Sequence, residues 1–394
     1  MSDLPYWLAF NRLGLGAVRV RVLERAFGSL EEAWRAPVGQ LRAAGLEERV
    51  AARVAAQRPQ VDPVAELEQV RRLGLRVLTW RDAAYPARLK ETADPPPVLY
   101  VRGTPAWEED RCLAVVGTRS PTHYGLEAAR VLAADLARCG LTVVSGLARG
   151  IDAAAHRAAV EAGGRTVAVL GSGPDVIYPP EHRELAEAVA AHGALVSELP
   201  PGTRPNAQFF PRRNRLLSGM SLGVLVVEAG ESSGALWTVR HALEQDREVF
   251  CVPGSIFSPA SRGTNRLVQE GAKLVMDYRD ILEELGLAPA AAQQLPLLEV
   301  TATPAAATPP APAPPAAVAP APEEQGPAEG SLEEALLAHV GSEPVHIDEV
   351  RRRSGLPIAA VSSALALLEL KGVVRQVGAM HYVRVREATA RHAR

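Results

Sequence analysis

Between residues 111 and 287, short apolar runs alternate with segments of helical period. The runs are LAVVG, TVVSG, TVAVLG, ALVSE, GVLVVEA, EVFCVPG and KLVM. Between them lie YGLEAARVLAADLARCG, IDAAAHRAAVEAGG, HRELAEAVAAHG, SGALWTVRHALEQD and GTNRLVQEGA. Runs that are apolar throughout, rather than alternating with polar residues, predict strands buried on both faces. Such strands separated by helices predict a parallel sheet covered on each side. The expected fold class is α/β, a doubly wound Rossmann-like parallel sheet.

The flanks have a different texture. Residues 1–80 place apolar positions at helical spacing, broken by Gly14, Gly16, Gly28 and Gly45. Short helices joined by glycine turns predict a small domain of the SAM or helix-hairpin-helix type, in which backbone amides at a turn can hold a DNA phosphate. The core is taken as residues 81–287. Its first part, 81–110, reads as an extended lead-in, because Pro95, Pro96 and Pro97 exclude helix there. Residues 288–329 are an Ala/Pro tract that cannot bury a core and read as a stiff, disordered linker. Residues 330–386 read as three helices followed by a hairpin, the order of a winged helix-turn-helix. The third of these helices offers only Ser362, Ser363 and Lys371 as polar reach, which favours contact with protein or a weak DNA role over base readout. Residues 387–394 are a basic tail.

Composition narrows the function classes. The formal net charge of -2 provides no whole-chain field for an anionic polymer, so any such attraction must be local. Cys112, Cys139 and Cys251 are scattered and form no CxxC pair, which argues against a disulfide framework or a zinc site and for core thiols in a reducing compartment. The N-terminus lacks a signal-peptide pattern, and no run of eighteen apolar residues exists, so the expected location is cytoplasmic. Of the 43 basic residues three are lysines, which leaves 40 arginines; a bias of that size makes any one arginine weak evidence. Asparagine is rare, at Asn11, Asn206, Asn214 and Asn265 only.

Two of those asparagines lie in or beside FFPRRNRLLSG, residues 209–219, where cations and rings also gather. Clustered cations and aromatics suit phosphates and bases. Pro211 suits the first turn of a helix. Helical geometry then puts Arg213 on the inward face with Leu216, Leu217 and Met220, and Arg212 and Arg215 on another. An isolated buried guanidinium is costly. Arg213 is therefore expected to organise the site through an acidic partner or a carbonyl, while Arg212 and Arg215 face phosphates.

The loops after three apolar runs have special composition: Gly117, Thr118, Arg119 and Ser120 after LAVV, Gly146 and Arg149 after TVVS, and Gly171 after TVAVL. In an open parallel sheet ligands bind beyond the carboxyl ends of the strands, where glycine lets amides approach a phosphate and helix N-termini favour anions. Neither GxGxxG nor GxxxxGK[ST] occurs. Asp152 is expected to cap a helix and His156 to be structural. No catalytic triad, close carboxylate pair, cofactor motif or metal-ligand spacing stands out.

The ordered motifs VVGTRSPTHYG, VVSGLARGIDAAAH, AVLGSGPDVIYP, LVSELPPGTRPNAQFFPRRNRLLSGMS, VVEAGESSGALWTVRHALEQDREVFCVPGS and SRGTNRLVQEGA resemble the DNA processing protein A family, DprA or Smf, across the whole central domain. The resemblance implies a core that binds single-stranded DNA, dimerises, and loads the RecA recombinase onto incoming strands during natural transformation. It implies that Arg119 contacts DNA, that Phe210 borders a base pocket, and that Arg213, Asn214 and Arg215 are the family's RNR signature. Many members carry lysine where this chain has Ala207, so Arg204 or Arg212 must substitute or affinity is lower. The alternative is a nucleotide hydrolase of the lysine-decarboxylase-like group. Its PGGxGTxxE loop corresponds here to ESSGALWTVRHA, which has Thr238 but reaches Arg240 and His241 where a carboxylate is needed.

Overall fold

The computed structural model describes residues 3–105, 107, 111–287, 336–341, 345–371, 373–376 and 380–384. The linker at 288–329, the start of the first winged-helix helix and the basic tail lie outside the described residues. The chain divides into two compact units, Met1–Glu299 and Val300–Arg394.

All seven apolar runs of the core form strands. They are β3 (Cys112–Val116), β4 (Thr142–Ser145), β5 (Thr166–Val169), β6 (Gly193–Ser197), β7 (Gly223–Val226), β8 (Glu248–Cys251) and β9 (Lys273–Leu274). Two further strands precede them, β1 (Arg76–Thr79) and β2 (Val98–Gly103). The nine strands form one sheet in the order β1-β2-β6-β5-β4-β3-β7-β8-β9. From β6 to β9 every neighbour is parallel, with Ala114 of β3 opposite both Val144 of β4 and Val224 of β7. The antiparallel edge is a difference from the sequence reading. β2 pairs with β6, Tyr100 opposite Ser197, and β1 pairs with β2. Extended chain around the three prolines thus becomes part of the sheet, because the apolar VLYV that follows them finds an open edge.

Strands β3 to β7 are buried on both faces, as their composition demands. Along β3, Cys112, Ala114 and Val116 point into one core and Leu113 and Val115 into another. The helices His123–Arg138 and Ile151–Glu161 cover the second face through alanines and leucines. The helices Phe209–Gly219 and Ala235–Glu244 cover the first, with Leu216, Leu217, Val239 and Ala242 inward. The N-terminal helices between Leu4 and Arg72 join this same core through Trp7, Phe10 and Trp34. Asn11 fixes them to it, donating to the Glu198 carbonyl at 3.2 Å and accepting from the Tyr100 hydroxyl at 3.1 Å.

In the second unit, helices Ile347–Ser354 and Ile358–Leu370 pack on a three-stranded sheet of Val345–His346, His381–Arg384 and Val374–Gln376. This is a winged helix. Ser362 and Ser363 are exposed on the longer helix.

Candidate nucleic-acid interface

Strand order reverses between β3 and β7, so the crevice of a doubly wound sheet should open beyond their carboxyl ends. One does, with a volume of about 640 Å³. Thr118, Arg119, Tyr178, Asn206, Phe210 and Trp237 are among the residues lining it.

The floor is built by close backbone approach. The Thr118 amide donates to the Glu228 carbonyl at 2.7 Å, and the Thr118 carbonyl accepts from the Ile151 amide at 3.2 Å. Gly117 is required there, since a Cβ would come within 2.5 Å of Ile151 Cγ1. The buried Glu228 carboxylate accepts from the Thr122 amide at 2.8 Å and the Thr122 hydroxyl at 2.6 Å. The loop that carries Arg119 is therefore held at both ends.

Behind the crevice sits Arg213, 4% exposed on the same face as Leu216, Leu217 and Met220. Its Nη1 donates to the carbonyl of Gly146 at 2.7 Å and also to the carbonyl of Val169. Its Nε donates to Asn214 Oδ1 at 3.2 Å. Burial pulls the guanidinium down to about 10, against the pull of the nearby Asp152 charge, so it remains a cation at neutral pH. Asp152 is raised above the ordinary carboxylate range by its own burial. It does not cap its helix. Asp152 Oδ2 accepts from the Gly146 amide at 3.1 Å and the Ala148 amide at 3.4 Å, pinning the loop that precedes the helix. His156 is buried beneath, and Thr166 Oγ1 lies 2.7 Å from its Nδ1. That hydroxyl donates to the Val143 carbonyl at 2.8 Å, so His156 donates from Nδ1. Burial, with Arg213 nearby, pushes the imidazole down to about 3.

The mouth is aromatic and cationic. The exposed Arg119 guanidinium lies 5.6 Å from the centroid of the Phe210 ring, and Tyr178 stands 5.6 Å from it on another side. Gly171 is the seat of the Phe210 ring: a Cβ there would meet it at 2.8 Å.

The expected site residues thus separate into two groups. Gly117, Thr118, Arg119, Phe210, Arg213 and Asn214 line one crevice. Ser120, Arg149 and Arg212 are exposed outside it. Arg149 pairs with Glu181 at 2.5 Å on the surface. Three expected ligand contacts are corrected, while Arg213 makes the carbonyl bonds expected of it. Gly146 is buried and its amide is committed to Asp152, so it offers no donor to a phosphate. Gly171 is buried under a ring. Arg215 does not face phosphates: it pairs with Glu198 at 2.5 Å and donates to the Asp94 carbonyl at 2.9 Å, with its side chain only 13% exposed. Ala207 lines the crevice and is exposed, as are Arg204 and Arg212 nearby in sequence, which have no ion partner among the described residues. Sequence reasoning missed Trp237 and Tyr178 as lining residues, while Asn206, singled out by its rarity, does line the crevice. The rarity of tryptophan was the available signal.

A doubly wound α/β core with a cationic, aromatic crevice at its switch point, joined to a winged helix, defines a nucleic-acid-handling class. The chain belongs to the DNA recombination-mediator protein A family, whose model matches residues 76–286, and residues 302–380 match the DprA winged helix domain. Protein Smf of Synechocystis is 36% identical over 97% of this chain and 99% of its own length. DNA processing protein DprA of Bacillus subtilis is 44% identical over 56% of this chain and 74% of its own. The crystal structure of DNA processing protein A from Streptococcus pneumoniae superposes with a TM-score of 0.60 at 32% identity, covering 72% of this chain and 96% of that one. Among the described residues no helix is long and apolar enough to cross a membrane, and no cluster of three acidic, histidine or cysteine groups could hold a metal.

Proposed function

We propose that this chain binds single-stranded DNA in the crevice between β3 and β7, as a recombination mediator without chemistry of its own. The observation that carries the reading is Arg119 stacked over Phe210 at the crevice mouth. An exposed guanidinium neutralises a phosphate while the ring takes an unpaired base, and only single strands expose a base face. The exposed Arg204 and Arg212, three and five positions from Ala207, supply charge where it has none. The one carboxylate on the crevice wall, Asp152, is occupied with two loop amides, which supports binding over hydrolysis. Thr238 is buried, and His241 is engaged with Glu244 at 3.3 Å.

Family membership extends the proposal to delivery of the strand to the RecA recombinase in natural transformation, in the cytoplasm, by a homodimer formed through the Rossmann-like core. The winged helix at 330–386 is assigned to protein contact, since its longer helix exposes serines rather than cations. A mobility-shift competition tests the central point. An unlabelled oligonucleotide should displace labelled oligo-dT at far lower concentration than dTMP does. Equal displacement by the mononucleotide would instead make this a small-phosphate site.

A further inference from the structure

Tryptophans in this protein are core residues with one exception. Trp7, Trp34, Trp80 and Trp107 are between 3% and 8% exposed, whereas Trp237 is 47% exposed. Burying an indole is among the larger single stabilising contributions a side chain can make. One left open on the wall of a concave site is therefore informative. Trp237 lies in the first turn of the helix Ala235–Glu244 and lines the same crevice as Phe210 and Tyr178. Arg240, one turn on, places its guanidinium 4.8 Å from the indole centroid and has no carboxylate partner among the described residues. A guanidinium over one face fixes the ring and leaves its other face for a second flat partner.

The surroundings decide what that partner is. Alongside apolar groups the crevice lining offers Ser233, Thr118, Asn206 and Asn214, and Arg119 supplies a cation. An apolar protein segment would offer the hydroxyls and the Arg119 guanidinium there no partner. A nucleobase combines a π-face with hydrogen-bonding edges and suits them. Phe210 belongs to the helix Phe209–Gly219 and Trp237 to a different one, so the crevice carries rings on two separate elements.

We propose that Trp237, braced by Arg240, is a second base-stacking station, so that the crevice takes at least two unpaired nucleotides of one strand. The proposal rests on the single-strand reading of the same site. It assigns a direct ligand contact to a residue outside the RNR signature.

Fluorescence anisotropy with oligo-dT and with an abasic oligomer of equal length tests it, using the full chain, Trp237→Ala and Trp237→Phe. Trp237→Ala should weaken oligo-dT by about 5- to 150-fold, the range for loss of one stacked base. Trp237→Phe should retain most of the affinity. On the abasic oligomer Trp237→Ala should match the parent. A parent-like Trp237→Ala on oligo-dT, or a loss that persists on the abasic oligomer, overturns the proposal. Iodide quenching of the unmodified protein provides a readout independent of folding in the variant, because the exposed Trp237 is the ring iodide reaches. Oligo-dT should protect that emission and the abasic oligomer should not; no protection by oligo-dT, or equal protection by both, overturns the proposal. A parent that binds no oligonucleotide fails the single-strand reading itself. Binding that Phe210→Ala weakens and Trp237→Ala leaves intact fails only the second station.

Discussion

The Arg213 guanidinium donates to the carbonyl oxygen of Gly146 at 2.7 Å, and the same nitrogen reaches the carbonyl of Val169. One side chain thereby ties the helix Phe209–Gly219 to the ends of β4 and β5. The aromatic wall of the crevice and its floor are fastened by one buried cation.

Removing that tie should cost stability first. Arg213→Ala leaves two buried carbonyls without a donor and Asp152 without its nearest cation. Breaking a buried charged network is worth about 3 kcal/mol. Urea denaturation should show a loss of that order, and oligonucleotide affinity should fall because Phe210 is no longer held. A variant as stable as the parent, with an altered salt dependence of binding, would reverse the division of labour between Arg213 and the exposed arginines.

Arg215 carries the opposite expectation from the one its position in the RNR signature suggests. Its ion pair with Glu198 is nearly closed off from water, with the two side chains 13% and 12% exposed. Arg215→Ala strands the Glu198 carboxylate and should cost about 3 kcal/mol, the low end for a buried pair. The slope of log affinity against log salt should stay at the parent value. A stable variant with a flatter slope would put Arg215 on the DNA after all.

His156 makes a pH prediction. Its folded value near 3 lies below the ordinary 6.5, so the unfolded chain binds the extra proton. Stability from this group is full above about pH 6.5 and falls as the pH drops through the window toward 3. The slope is at most about 1.4 kcal/mol per pH unit. His156→Gln removes the titration, so the stability gap between parent and variant should narrow on acidification from pH 7 to pH 5. A gap that is constant with pH would mean that the imidazole is already charged or solvated in the fold.

Much of this architecture is legible in the residues because its signals are local. Uninterrupted apolar runs such as LAVV announce strands with two buried faces. The spacing of Arg213 from Leu216, Leu217 and Met220 announces an inward-facing cation. The features that escaped are those set by distant chain. Nothing near Arg215 reveals Glu198 and Asp94 as its partners. Gly146 reads as a phosphate-loop glycine until Asp152 is seen to hold its amide. Edge strand β2 was obscured by prolines, whose effect on helix is local while the pairing of VLYV with β6 is not, and β1 falls in the stretch read as helical. Trp237 was hidden for a similar reason, since helical spacing alone cannot say that its face lines a crevice.

The central claim is that Arg119 and Phe210 hold a single strand by charge and by stacking. Titrating labelled oligo-dT at several salt concentrations against the parent, Arg119→Ala and Phe210→Ala tests it most directly. Losing the Arg119 phosphate contact should flatten the salt slope by about 0.7. Phe210→Ala should leave the slope intact and weaken binding by about 1–3 kcal/mol. Parent-like affinity and slope in both variants would contradict the account.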